Sequence, residues 1–279
     1  MTDDDIRSLV RRAFDEDLPD ITSEAIFALQ DRGSARFLVK EDGIIAGLAI
    51  IHAVFAELDP LAEVSLSAND GDRVQHGDFV GEVQASVIAL LAGERTALNL
   101  MQRASGIATL TRHYVDRIEG TNARIYDTRK TAPGLRAFDK YAVRTGGGEN
   151  HRFGLHDMFL VKNNHIDRAG SIAAAVERIR AKQMPQKIMV EVRDLEELDE
   201  TVALAPDLIL LDNMTPDMMR EAVRRVAGRI PLEASGGITL ETVRAVAETG
   251  VDRISIGALT HSVKALDISM RISAAEDGT

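Results

Sequence analysis

The sequence predicts an α/β protein whose larger part is a parallel β/α barrel of six or seven units. Three observations carry this expectation. After Thr121, short apolar runs alternate with amphipathic segments of helical period. Each run is continuously apolar instead of alternating, as strands are when helices cover the sheet. Almost every run also ends in polar residues that core packing would not choose, and in barrels those ends converge on one mouth. An open doubly wound sheet accommodates the same alternation and is the alternative.

Taken in order, the first hundred residues read differently from the rest. Helices are expected over 3–16 and 51–58. Residues 35–50 and 63–84 read as short strands punctuated by Asp-Gly, Gly-Asp and His-Gly turns. The stretch DGDRV followed by GDFVGEV is similar to the hairpin of lipoyl-type carrier domains, but it has no lysine at its tip and is read as a plain β-turn. A long helix over about 86–118 carries Glu94-Arg95-Thr96. Strands are then expected at 123–128, 158–163, 187–192, 207–212, 231–235 and 253–257. Amphipathic helices fall between the later ones, at about 169–182, 194–204, 216–227 and 240–249.

A chain of 279 residues can bury a large core in one large or two modest domains. Its 45% apolar and 28% charged residues are ordinary for a globular protein. There is no cysteine, so disulfides, thiolate metal sites and cysteine nucleophiles are excluded. The start, MTDDDIRSLV, is acidic and lacks the basic, then apolar, pattern of a signal peptide. No run approaches the roughly 18 apolar residues that a membrane span needs. A cytoplasmic location is the expectation, with no membrane association. The net charge of −11 argues against nucleic acid as a partner, since that needs a basic face. The charge is unevenly placed. Between Arg124 and His165 eight Lys/Arg face four acids, a window of +4 that leaves −15 for the remainder. His151, His156 and His165 lie there too. Such an island suits a small anionic ligand, because its field is local; a solvated charged face would look the same by composition.

The polar strand ends are sorted by type. The early ones supply cations: Thr128-Arg129-Lys130 and Lys162, with His151 and Arg152 arriving from a glycine-rich connection. The middle ones supply the carboxylates Glu191 and Asp212. The last two supply Ser235-Gly236-Gly237 and Ser255-Ile256-Gly257, loops of the kind that offer main-chain N–H groups to a phosphate. One site with these parts would hold an anionic ring substrate, a Mg2+-bound sugar polyphosphate and a terminal phosphate. Arginine grips planar carboxylates bidentately, and carboxylates beside phosphates suit Mg2+ or sugar hydroxyls.

These same segments carry a family resemblance. The runs ERTALNLMQRASGIATLT (94–111), DTRKTAPGLRAFDKYAVRTGGGENHRFGLHDMFLVKNNHI (127–166), LEASGGIT (232–239) and DRISIGALTHSVKALDIS (252–269) resemble the quinolinate phosphoribosyltransferase family. They span the chain from about residue 94 almost to its end. The N-terminal third resembles the family more loosely. DEDLPDITSE lacks a Gly-Asp pair ahead of Ile-Thr, and Ala132 stands where a second threonine is commoner. Neither departure touches an expected site residue.

The resemblance implies transfer of phosphoribosyl from 5-phosphoribosyl 1-pyrophosphate to quinolinate with decarboxylation, using Mg2+, in NAD biosynthesis. It implies an open α/β barrel over 106–264 and an N-terminal α/β sandwich domain over 1–105, to which a helix at about 265–279 is expected to return. Arg95, Thr128, Arg129, Lys130, His151, Arg152 and Lys162 would bind quinolinate. Glu191 and Asp212, with Lys130, would be catalytic, the two carboxylates holding ribose hydroxyls and Mg2+. Residues 235–237 and 255–257 would take the 5-phosphate. The resemblance also implies a homodimer, with Arg95 donated across the interface. Three rival readings exist: a lyase with Lys162 as Schiff-base amine, the paralogue found with molybdenum-transport genes, and a non-catalytic binding protein on this fold. The cations around Lys162 disfavour the first, the intact VKNNH segment the second, and the retained Glu191, Asp212 and arginines the third.

Overall fold

A computed structural model of the chain describes residues 1–274 and divides into two compact units. The first comprises Met1–Leu110, Ala137–Gly147 and the segment from Val263; the second comprises Thr111–Arg136 and Gly148–Ser262.

The first unit opens with α1 (Asp3–Asp17), started by a reciprocal cap in which Thr2 and Asp5 each accept the other's main-chain N–H. Then come α2 (Ile21–Ile26), β1 (Arg32–Val39), β2 (Gly43–Ile44), α3 (Ala49–Leu58), β3 (Glu63–Leu66), β4 (Arg73–Val74) and β5 (Phe79–Ser86). Helix α4 (Val87–Arg117) crosses the boundary between the units. In the second unit β6 (Arg124–Tyr126) comes first, and α5 (Arg136–Thr145) returns to the first. There follow β7 (Phe159–Val161), α6 (Asn163–Ala169), α7 (Ile172–Arg180), β8 (Ile188–Val192), α8 (Leu195–Leu204), β9 (Leu208–Asp212), α9 (Pro216–Val226), β10 (Leu232–Ser235), α10 (Val243–Ala247), β11 (Arg253–Ser255) and α11 (Ala258–His261). The last described element, β12 (Ile268–Ala274), lies in the first unit.

The sheet of the first unit has the order β12-β1-β5-β3, and every pairing is antiparallel. Helix α3 packs on β5, and α1 on α3. Phe37 of β1 meets Phe55 of α3 edge-on, with centroids 6.3 Å apart; such a pair adds about 0.5–1.5 kcal/mol to its burial. Asp59, after α3, is buried, and accepts N–H bonds from Leu61 and Ser86 and an ion pair from Arg32. The helix expected over 265–279 is instead the strand β12. The period-2 pattern explains it, since Ile268 and Met270 are buried while Asp267 and Arg271 on either side of them are exposed. Residues 275–279 of that expectation lie outside the described residues.

The second unit holds a six-stranded parallel sheet of order β6-β11-β10-β9-β8-β7. From β7 to β11 each strand lies beside its successor. A doubly wound sheet would reverse direction at a switch point, so the order rejects that alternative. The first strand, β6, then sits beside the last, β11. This is a barrel's order with one seam, between β6 and β7, left without a ladder. Glu149 fills part of that seam, exchanging main-chain hydrogen bonds with β6 at Ile125 and Asp127. A repeated device sets the register at the strand starts: Asp207 accepts the N–H of Ile188 at 2.7 Å, and Asp252 accepts that of Leu232 at 2.8 Å. Met189, Leu208 and Leu210 form a buried cluster against which Met158 and Leu160 pack. At roughly 1.5–3 kcal/mol for each fully buried large apolar side chain, this packing holds the strands in place beneath their polar ends.

Candidate active site

The register brings the polar ends together. Asp212 pairs with Ser235 and Ser235 with Ser255 across adjoining strands, so the three stand side by side. They line one cavity of 730 Å3, together with Thr128, Arg129, Lys130, His151, Arg152, Lys162, Glu191, Gly236, Gly237, Ile256 and Gly257. Every site residue expected from the second unit is therefore at one place. Arg95 is not among the lining residues. It is exposed on α4 in the first unit and has no ion pair or hydrogen bond among the described residues.

The cationic side is built by a few anchors. Asp127 is fully buried at the end of β6 and accepts from the Asn150 amide at 2.6 Å and the His151 N–H at 2.8 Å, tying the glycine-rich connection to the strand. Arg136 staples two loops by donating to the carbonyls of Arg129 and Phe153. Burial, and then the neighbouring Arg129 charge, pull the Arg152 guanidinium below its ordinary pKa. The Nε of Arg129 is buried without a hydrogen-bond partner. Two repelling guanidinium groups with an unused donor are poised for an anion. Lys162 follows β7 and meets Glu191 of β8 at 3.2 Å. Its half-exposed ammonium, paired with a carboxylate, does not fit a desolvated Schiff-base amine.

The small-residue loops line the same cavity. Gly236 and Gly237 both have positive φ, +102° and +62°. The N–H groups of Gly236, Gly237 and Ile238 have no hydrogen-bond partner among the described residues. Gly257 has an ordinary φ, and its need is space: a Cβ there would stand 2.9 Å from Lys130 Cδ and 3.1 Å from the His261 ring. Thr260 donates to the Lys130 carbonyl at 2.9 Å, fixing the 128–130 segment against α11. Among the described residues no group of three or more His, Asp or Glu could hold a metal by itself. Glu191 and Asp212 line the same cavity and are hard oxygen donors, the type that a Mg2+ carrying water and phosphate ligands accepts.

A model of the quinolinate phosphoribosyl transferase C-terminal domain matches residues 107–271, and one of the N-terminal domain matches 20–105. The chain belongs to the quinolinate phosphoribosyltransferase family. A probable nicotinate-nucleotide pyrophosphorylase [carboxylating] of Bacillus subtilis is 46% identical, over 96% of this chain and 93% of that one. The mitochondrial quinolinate phosphoribosyltransferase [decarboxylating] 2b of Nicotiana tabacum is 45% identical, over 96% and 82%. The crystal structure of NadC from Streptococcus pyogenes superposes with a TM-score of 0.95 at 38% identity, covering 99% of both chains.

The cavity also holds residues beyond the expected set. Asn213 and His261 line it. So does Glu233, which is fully buried, with both oxygens lacking a hydrogen bond and His151 Nε2 3.3 Å from Oε1. That approach is close enough for an ion pair but is not aligned as a hydrogen bond. An acid inside an otherwise apolar parallel strand was the available signal, because such strands are normally apolar throughout.

Proposed function

We propose that this chain transfers the phosphoribosyl group of 5-phosphoribosyl 1-pyrophosphate to quinolinate, releasing pyrophosphate and CO2 and giving nicotinate mononucleotide for NAD biosynthesis. The observation that carries the reading is the sorting of one cavity into a cationic side, two central carboxylates and a loop with unused N–H donors. Quinolinate supplies two carboxylates for Arg129, Arg152 and Lys162, with His151 and Thr128 beside them. Held there, the ring nitrogen is presented to the anomeric carbon, and such positioning supplies much of the rate. Glu191 and Asp212 take the ribose hydroxyls and stabilise the positive charge that develops on the sugar as the C1–O bond breaks. Lys130 contacts the anionic groups of the substrates. The loops 235–237 and 255–257 receive the 5-phosphate. Mg2+, when bound near Glu191 and Asp212, neutralises the leaving pyrophosphate. Ribosylation makes the ring nitrogen cationic, and the ring then accepts the electron pair left when the 2-carboxylate departs as CO2.

The active assembly is a homodimer in which Arg95 is donated to the partner's cavity. Its exposure and its lack of a partner among the described residues support this role. No helix among the described residues is long and apolar enough to cross a membrane, and we place the reaction in the cytoplasm. Incubation with quinolinate, 5-phosphoribosyl 1-pyrophosphate and Mg2+ should yield nicotinate mononucleotide, and nicotinic acid should not replace quinolinate. Turnover of nicotinic acid but not quinolinate would overturn the reading.

A further inference from the structure

Asn213 stands directly after β9 with φ +53°, in the left-handed region that asparagine enters more readily than most residues. Its N–H donates to the Ser235 carbonyl at 2.9 Å, joining the end of β9 to the loop after β10. Its side chain folds back, and Nδ2 donates to Asp212 Oδ1 at 3.0 Å. The other face of the amide covers Gly236: a Cβ there would stand 2.1 Å from Asn213 Oδ1 and 2.5 Å from its Cγ. A single amide therefore reaches both a central carboxylate and the first of two successive glycines, whose freedom is otherwise costly to suppress.

We propose that Asn213 is a positioning residue that locks Asp212 to the 235–238 loop, so that sugar hydroxyls and 5-phosphate are gripped at one fixed spacing. The inference rests on the phosphoribosyl reading above, but binding, not turnover, reads it out. Asp212 alone can swing, and two glycines alone sample many conformations. With the amide between them, neither end of the ligand site moves without the other.

The test is titration calorimetry of the full chain with ribose 5-phosphate and with quinolinate, alongside melting curves, for wild type, Asn213→Gly, Gly236→Ala and the double variant. Glycine at 213 retains the backbone conformation and removes only the amide. Each single variant should bind ribose 5-phosphate about tenfold more weakly, with quinolinate affinity within about twofold of wild type. The double variant should be no weaker than Gly236→Ala alone, because both changes break the same contact. Should Gly236→Ala not fold, Asn213→Asp takes its place. It keeps the shape, loses the donor, sets a second carboxylate beside Asp212, and should bind at least as weakly as Asn213→Gly. Wild-type affinity for ribose 5-phosphate in Asn213→Gly would overturn the proposal, as would multiplying losses in the double variant or an equal loss of quinolinate binding. If wild type binds ribose 5-phosphate and the variants behave as expected, yet no nicotinate mononucleotide forms, the role of Asn213 stands and the reaction falls.

Discussion

At the scale of single residues, the cavity sets the charges of Arg129 and Arg152 against one another. Burial and that repulsion both disfavour the Arg152 charge, and the two carboxylates of the proposed substrate would offset both. Arg152→Ala and Lys162→Ala should each weaken quinolinate binding by about 2–3 kcal/mol. The melting temperature should barely change, since Lys162 is half exposed and its pair with Glu191 is not a folding contact of weight. Calorimetry with quinolinate checks this; normal binding by either variant would remove that residue from the site. In the proposed reaction Asp212 acts on the other substrate and on developing charge. Asp212→Asn should therefore lower kcat more than it raises KM for quinolinate, in steady-state assays with both substrates varied. A wild-type kcat would place the carboxylate elsewhere. What was legible here was position: a polar residue ending a buried strand. Glu233 was not legible by that rule, because it sits within β10; Asn213, next to Asp212 at the end of β9, was legible as a polar strand end but not in its role, which needs a left-handed turn that no single residue type announces.

At the scale of elements, a buried carboxylate organises the first unit. Burial works against the Asp59 charge, but the N–H groups of Ser86 and Leu61 and the Arg32 guanidinium outweigh it and hold the carboxyl below its ordinary pKa. A carboxyl lowered on folding stabilises the folded state above the ordinary carboxylate range, and the contribution is lost as pH falls toward the folded value. Asp59→Asn should thus melt earlier than wild type at neutral pH, by about 1–3 kcal/mol, and the gap should narrow below about pH 4. Melting curves from neutral to acid pH decide it; a gap independent of pH would mean that packing, not charge, is what the carboxylate supplies. The strands β8, β9 and β10 were readable to within a residue or so, because continuous apolar runs between polar punctuation have few other uses. Several elements were not, α5 and β12 among them. Helix α5 lies in a segment dense with charge, where its apolar stripe of Phe138, Ala142 and Val143 is easily overlooked. Strand β12 is short, and its alternation over a few residues does not separate from a helical reading without its partner, β1.

At the scale of the whole molecule, the strand order of the second unit follows from sequential β/α units curling until the first strand meets the last. The alternation was plain in the sequence, whereas the open barrel was implied by the family resemblance alone, since nothing in the residues of β6 or β7 forbids a ladder between them. The proposed dimer belongs to this scale as well. Inactive Arg95→Ala and inactive Lys162→Ala subunits, mixed and allowed to exchange, should regain activity, because hybrid dimers carry one intact and one doubly damaged cavity. Heterodimers that form without any activity would place Arg95 in its own chain's site or in none.

The pairing of β12 with β1 has a consequence for how the protein is born. Strand β1 leaves the ribosome early, yet one of its two edges waits for a partner made only after the entire second unit has been synthesised. Meanwhile that edge, with Phe37 and Leu38 in its strand, is a template for any other nascent chain on the same message. A stop codon at Ile268 would leave every residue of the cavity in place and still lay bare the flank of the first strand, so the truncated product should clump instead of accumulating in native form.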